Sequence, residues 1–280
     1  RDTAPCIGLA ALLCVENDPQ ATMVVMPADH VINQTEAFCR AIEYAAQLVE
    51  EVPGRIATFG ISPSYPAETF GYIERGDRLQ SAGENAEDSA AFQVKQFREK
   101  PKVAVAERYL EAGTFYWNSG IFVWKAATIL EELRRREPEM LRHLETIAKS
   151  RGSKDFEKIF ATEFDAIQGV SIDYAVMEHA QDIVVIEATF DWDDVGNWTA
   201  VGRLRGTDGD GNTIVGQHLG IDTKDSIIRG QDGHLVVTLG VKEAIVVQTP
   251  DATLVADRNS EESIRELVTM IKEKGWTEYL

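Results

Sequence analysis

Over residues 22–188 short apolar runs alternate with longer amphipathic stretches, and few folds accommodate that rhythm. Residues 22–26 (TMVVM) are wholly apolar and stop at Pro27, as a buried parallel strand does. Residues 35–51 carry apolar positions at helical spacing, and residues 55–61 (RIATFGI) read as the next strand. Strand–helix–strand alternation with short connections predicts an α/β domain, a Rossmann-like mixed sheet with helices on its faces. Ahead of it, residues 4–16 (APCIGLAALLCVE) read as an apolar helix, N-capped by Asp2 or Thr3 with Pro5 in its first turn. Further strands are predicted over 91–98, 116–125 and 183–188, and helices over 103–112, 126–149 (interrupted at Pro138) and 171–179. Residues 80–90 are polar and read as a loop.

The rhythm changes near Arg205. Residues 206–212 (GTDGDGN) read as a linker, followed by short β-type runs over 226–229, 234–239, 244–249 and 252–255 and an amphipathic helix over 260–274. The expected organisation is a nucleotide-binding type of domain over 1–205 and a small β-rich domain over 206–280, with a β-helix as one form open to it. With 44% apolar residues the chain can bury cores of this size. Its 46 acidic against 28 basic residues, a net charge of −18, disfavour nucleic acid and anionic membranes as partners. No apolar run approaches the ~18–20 residues of a membrane-spanning helix. Cys6, Cys14 and Cys39 show no metal or redox spacing and read as buried free thiols, which points to a reducing compartment, the cytoplasm.

Ligands of open α/β sheets gather outside the carboxyl ends of the strands, so polar residues there are the candidates. Asp29, after the first strand, is either an oxygen ligand for a hard divalent cation or a cap of the next segment, and His30 beside it reads as structural. Residues 192–198 (WDDVGNW) set two acids between tryptophans; one of Asp193 and Asp194 would join Asp29 on Mg²⁺, or else cap the helix that follows. In FREKP, Lys100 offers a point charge for a phosphate and Glu99 accepts from vicinal hydroxyls, unless the two only mark a solvated strand end. Asn118 and Ser119 lie in an apolar run and need partners, which sugar hydroxyls or the backbone would supply. Gly71, followed by Tyr72, marks either the close approach of a ligand or a turn.

The order of these segments carries more than any one of them. RDTAP, PADH after a strand, FGYIERG, FREKP, YWNSGIFVW, SIDYAVMEH and WDDVGNW follow one another as in the mannose-1-phosphate guanylyltransferases, which the chain resembles closely from Arg1 to about Leu204 and more loosely beyond. SIDYAVME with DVGNW narrows the resemblance from sugar nucleotidyltransferases in general to the mannose and guanosine branch. The resemblance implies transfer of GMP from GTP to mannose 1-phosphate, giving GDP-mannose and pyrophosphate by in-line attack, with Mg²⁺ as cofactor. Such transfers rest on positioning and electrostatics and need no covalent protein nucleophile. It also implies roles: Asp29 and Asp194 on the metal, Lys100 facing the sugar phosphate, Gly71, Tyr72, Glu99, Asn118 and Asp173 lining the sugar pocket, and Arg1, Asp2, Thr3 and Ala4 against the guanine. A homodimer is compatible with it.

Three features depart from the family pattern. Asp2 stands where Asn is more usual, and Thr69-Phe70-Gly71-Tyr72 is one residue shorter than the commoner TGYGY form. The Gly-rich loop with Arg and Lys that cradles nucleotide phosphates is not found within residues 1–280. The expectation is a parent protein with on the order of 70 further residues before Arg1, a strand–helix unit of ~30 residues taken about twice. Without them, apolar sheet surface near residues 23–26 would be exposed. No cupin-like isomerase domain is expected after the β-rich segment. Two rivals stay open: another sugar-1-phosphate nucleotidyltransferase, such as a glucose-1-phosphate type, and a non-catalytic sugar-nucleotide-binding regulatory module. Asp29 and Asp194 argue against the second, since a pure binder needs no metal ligands.

Overall fold

The computed structural model describes residues 1–80 and 89–280, so residues 81–88 of the expected loop lie outside the described residues. The chain packs as two compact units, Arg1–Ala28 with Ile32–Trp192, and Asp29–Val31 with Asp193–Leu280.

The first unit is built on a six-stranded mixed sheet of β1 (Thr22–Val25), β2 (Ile56–Ile61), β3 (Tyr72–Arg78), β4 (Ala91–Arg98), β5 (Phe115–Lys125) and β6 (Ile183–Glu187). The strand order is β1-β5-β2-β6-β4-β3, with β3 also paired to the start of β5. β2 and β6 run parallel and the other pairings are antiparallel. Side chains alternate between the faces with period 2. Ile183, Val185, Phe122 and Trp124 face α1 (Thr3–Asn17), α4 (Ala126–Arg136) and α5 (Pro138–Ser150). Val184, Ile186, Ile121 and Val123 face α2 (Thr35–Glu51), which presents Tyr44, Leu48 and Val49. Strands apolar on both faces are what a sheet covered on both sides requires. α3 (Val103–Ala112) packs through Ala106 beside Tyr72 and Trp117, and α6 (Phe156–Ala166) lies along α5.

Several expectations are corrected here. β1 is not a buried parallel strand: it runs antiparallel to β5 at the sheet edge, with Met23 buried and Val24 and Met26 exposed. Strand direction is set by the partner, and the register Met23↔Trp124, Val25↔Phe122 matches apolar residues in that orientation. The cysteines are not buried thiols, since Cys6 and Cys39 are exposed and Cys14 is half-buried. Ala4, Ile7 and Ala11 fill the buried stripe of α1, and Ala41, Tyr44 and Leu48 that of α2. The capped helix expected over 171–179 is a π-helical turn, Asp173–Met177. The cap of α1 is Asp2, whose carboxylate accepts from the Thr3 N–H at 2.8 Å.

The second unit is a small parallel coil. β7 (Thr213–Val215), β9 (Ile227–Arg229) and β11 (Ala244–Gln248) stack in parallel along one side, and β8 (Gln217–Ile221) and β10 (Leu235–Leu239) along another. A parallel bridge, Lys224↔Lys242, joins successive turns on the third side. This is the β-helix form that the sequence left open. Inside the coil, Ile228, Ala244 and Val246 meet Val236 and Val241. On the outer face, Ile227, Ile245 and Val247 are covered by Trp198 of α7 (Trp198–Arg205), a helix that the sequence boundary at 205/206 places in the first domain. β12 (Thr253–Asp257) runs antiparallel to β11, and α8 (Ile264–Glu273) follows. Among the described residues no helix is long and apolar enough to cross a membrane.

Candidate functional site

In the first unit the sheet register gathers Gly71, Glu99 and Asn118. Tyr72 pairs with both Arg98 and Trp117, so the residues adjoining that row come together at the start of β3, the end of β4 and the middle of β5. The Asn118 N–H donates to the Gly71 carbonyl at 2.8 Å. A Cβ on Gly71 would lie 2.5 Å from Glu99 Oε2 and 3.4 Å from Asn118 Cβ, so the Glu99 carboxylate occupies space that only glycine leaves open. Gly120 has φ 70 inside β5, where the ladder with β2 slips between Thr58 and Gly60. Such bulges re-aim side chains. Here the Gly120 N–H donates to Asn118 Oδ1 at 3.1 Å, which orients the amide so that Nδ2 donates to Asp173 Oδ1 at 3.0 Å.

Asp173 opens the π-helical turn, a departure from α geometry that occurs mostly at functional sites. The segment before it is stitched to the chain start. Arg1 pairs with Asp165, the Ala4 N–H donates to the Val170 carbonyl at 3.1 Å, and the Ile172 N–H donates to Thr3 Oγ1 at 2.8 Å. Arg1, Asp2 and Thr3 are exposed along this seam, whereas Ala4 is fully buried.

Burial, and then the charge of Asp173, push the Glu99 carboxyl above the usual range, against the pull of Lys100, whose Nζ lies 3.3 Å from Glu99 Oε1. Burial also raises Asp173, against hydrogen bonds from its own backbone and from Asn118 and the charge of Lys100, while Asp2 adds to the rise. Two half-buried carboxyls beside one exposed ammonium suit a ligand rich in hydroxyls with an anionic end. Asp2 (φ 72) and Lys100 (φ 44) both hold left-handed backbone, a strain that clusters at functional sites. Tyr72 is placed differently from its neighbours: it is fully buried and its hydroxyl donates to the Ala67 carbonyl at 3.0 Å, so it anchors the start of β3 from behind.

Asp29 and Asp194 fall in the second unit. The antiparallel bridge Val31↔Asp193, with N···O distances of 2.8 and 3.1 Å, brings their two segments together. Both carboxylates act on His30, whose imidazole is lowered by burial and raised by Asp29, Asp194 and Asp193. Asp193 is taken up by Arg203, with Nε at 2.7 Å, and by the Val195 N–H at 2.8 Å. Asp194 accepts from the Gly196 N–H at 3.2 Å. Neither acid caps α7: Asn197 does, accepting from the Ala200 N–H at 2.9 Å. Val195, between Asp194 and Gly196, has φ 51, an outlier for a β-branched residue. Among the described residues no group of three or more His, Cys, Asp or Glu is placed to hold a metal ion. Two carboxylates are too few ligands for a closed zinc site, and their oxygen donors are of the kind a hard divalent cation takes. Arg203 as the partner of Asp193 depends on how the helix that follows is set, and the charges of Asp2 on Asp173 and of Glu178 on Glu99 depend on the packing of separate segments, so none carries a local sequence signal.

A family model described as nucleotidyl transferase matches residues 1–206, and one described as MannoseP isomerase/GMP-like beta-helix domain matches residues 216–271. A mannose-1-phosphate guanylyltransferase from Escherichia coli (strain K12) is 40% identical over 283 residues, a match to 100% of this chain and 58% of that protein. One from Salmonella montevideo is 38% identical over 281 residues, again 100% of this chain and 58% of that protein. The chain therefore spans 58% of the length of these curated relatives. A solved structure described as mannose-1-phosphate geranyltransferase from Thermus thermophilus matches with a TM-score of 0.81 and 31% identity, over 97% of this chain and 76% of that one.

Proposed function

Because the chain belongs to the nucleotidyl transferase family, with mannose-1-phosphate guanylyltransferases among its relatives, we propose that its protein transfers GMP from GTP to mannose 1-phosphate, releasing pyrophosphate. The observation that carries this reading is the convergence of Gly71, Glu99, Lys100, Asn118 and Asp173 in one cluster of the first unit.

In that pocket Glu99 and Asp173 accept from hexose hydroxyls, and Asn118, fixed by the Gly120 bulge and by Asp173, orients the ring. Lys100, exposed beside Glu99, takes the phosphate as a point charge. Arg1, Asp2 and Thr3, held along residues 165–172, are assigned to the guanine. Asp29 and Asp194 would hold Mg²⁺, which neutralises phosphate charge when bound. The sugar phosphate oxygen attacks the α-phosphorus in line and pyrophosphate leaves, so positioning does most of the work and no protein nucleophile is required.

A pocket built for hydroxyls is left with unpaired polar groups when one is missing, at about 1–3 kcal/mol each. The test is a turnover screen of hexose 1-phosphates, deoxy analogues included, against the four nucleoside triphosphates with Mg²⁺ and the full-length protein. Mannose 1-phosphate with GTP should give the highest kcat/KM. A higher value for glucose 1-phosphate would reassign the sugar, and binding without turnover by any pair would fit a regulatory module instead.

A further inference from the structure

Two loops of the first unit lead to and from the cluster around Gly71 and Glu99. Residues 62–70 run into Gly71, and residues 99–102 run from β4 into α3. The first loop is packed down by its aromatic residues. Tyr65 and Phe70 each meet the Trp117 ring with centroids 4.9 Å apart, and the carbonyl of the buried Ala67 accepts from the Tyr72 hydroxyl. The second loop has fewer anchors. Lys100 holds φ 44 directly before Pro101, although the residue before a proline favours extended backbone. Such strain persists only where the surroundings impose it. α3 then begins at Val103 without a cap from its own segment. Lys102 stands at the N-cap, a lysine side chain has no acceptor, and the first turn holds no acid. The first N–H groups of a helix lack intrahelical partners. The Val103 N–H finds one in the other loop: it donates to Glu68 Oε1 at 2.8 Å.

We infer, on the reading that sets Lys100 against the sugar phosphate, that Glu68 is a positioning residue: it ties the loop before Gly71 to the first turn of α3 and so holds Lys100 in its strained backbone. A carboxylate that accepts from a backbone N–H makes a charge-assisted hydrogen bond, stronger than a neutral one, and its charge also suits the positive end of the helix. Little slack separates that bond from Lys100. Only Pro101 and Lys102 intervene; the ring of Pro101 fixes its φ, and Lys102 is extended. Lys100 is therefore held from both sides, by the end of β4 before it and by the fixed start of α3 after it. Glu68 lies three positions before Gly71 and Val103 three positions after Lys100, so one hydrogen bond joins the two loops that carry them. Without it the start of α3 frays, the backbone at Lys100 relaxes, and its ammonium leaves the place beside Glu99.

The test compares Glu68→Ala, Glu68→Gln, Lys100→Ala and the double alanine variant in the full-length protein, with initial rates for each substrate varied in turn. Glu68→Ala should raise KM for mannose 1-phosphate about tenfold, the equivalent of one hydrogen bond to a charged group, with KM for GTP nearly unchanged. Glu68→Gln keeps an oxygen for the Val103 N–H and should recover most of that loss, which a carboxylate bound to substrate or metal would not do. Because Glu68 acts through Lys100, the double variant should be no worse than Lys100→Ala alone. Hydrogen exchange needs no substrate: residues 100–106 should exchange faster in Glu68→Ala and not in Glu68→Gln. An unchanged KM with a lowered Tm in Glu68→Ala would leave Glu68 a helix cap and nothing more. Multiplicative losses in the double variant would set Glu68 on the substrate itself. Either result, or unchanged exchange over residues 100–106, would overturn the inference. A wild-type KM in Lys100→Ala would strike the placement of Lys100 and the inference with it, a failure that the exchange result keeps distinct from a wrong role for Glu68.

Discussion

Replacing Gly71 by alanine probes the pocket with a single methyl group. The added Cβ lies 2.5 Å from Glu99 Oε2, against at least 3.4 Å for an ordinary contact. The carboxylate must therefore retreat by about 1 Å, and a misplacement of that size costs on the order of 10²-fold in rate, or about 2.7 kcal/mol. The fold should bear it. Gly71 is not among the glycines with positive φ, and what the methyl meets first is the end of a flexible side chain. Initial rates with each substrate varied in turn separate the effects: KM for the sugar phosphate should rise and kcat/KM for it fall by about two orders of magnitude, with KM for GTP nearly unchanged. Gly54→Ala is the control, because a Cβ there meets nothing within 4 Å. Wild-type kcat/KM in Gly71→Ala would refute the placement of Glu99 against the sugar. An equal loss for both substrates with a lowered Tm would show damage to the fold instead.

Other substitutions separate neighbouring carboxyls. Asp194→Asn should lower Mg²⁺-dependent turnover by on the order of 10²–10³-fold at unchanged Tm, as loss of an electrostatic anchor does. Asp193→Asn weakens the Arg203 pair and should keep turnover but lose about 1 kcal/mol of stability by denaturant melts. Asp173 is raised in the folded protein above the ~3.9 of an unfolded Asp, so the native state binds more protons between those two values and wild-type stability falls as pH rises through that window. Asp173→Asn keeps an acceptor for Asn118 and removes the charge. Its Tm should exceed that of the wild type at neutral pH, with the gap closing as pH falls below the unfolded value. A gap that is absent or widens on acidification would reverse the assigned direction.

The sheet was legible where apolar residues occupy both faces of a strand. β2, β5 and β6 are continuous apolar runs because helices cover them on both sides, and that burial writes itself into composition. The direction of β1 was not legible, since it depends on the half of β5 that it meets. α6 shows little in sequence because its stripe is three phenylalanines, Phe156, Phe160 and Phe164, among acids. The thiols of Cys6 and Cys39 were misplaced because a small apolar residue fits either side of a helix. At the site, Gly71 and Glu99 stood out as permissive or polar residues next to strand ends, and Asn118 as a polar residue inside an apolar run. The Gly120 bulge that aims Asn118 and the π-turn that carries Asp173 are backbone events with only a glycine to announce them. The pairing of Asp193 with Arg203 was not legible either, since it depends on the helix that follows, ten positions along the chain.

The most direct measurement is pyrophosphate release from GTP by the full-length protein, with Mg²⁺, in the presence and absence of mannose 1-phosphate. Direct in-line transfer requires release to depend strictly on the sugar phosphate and to match GDP-mannose formed one for one. Pyrophosphate release without the sugar phosphate, or release unaffected by Asp194→Asn, would contradict the assignment of this chain to guanylyl transfer through Asp29 and Asp194.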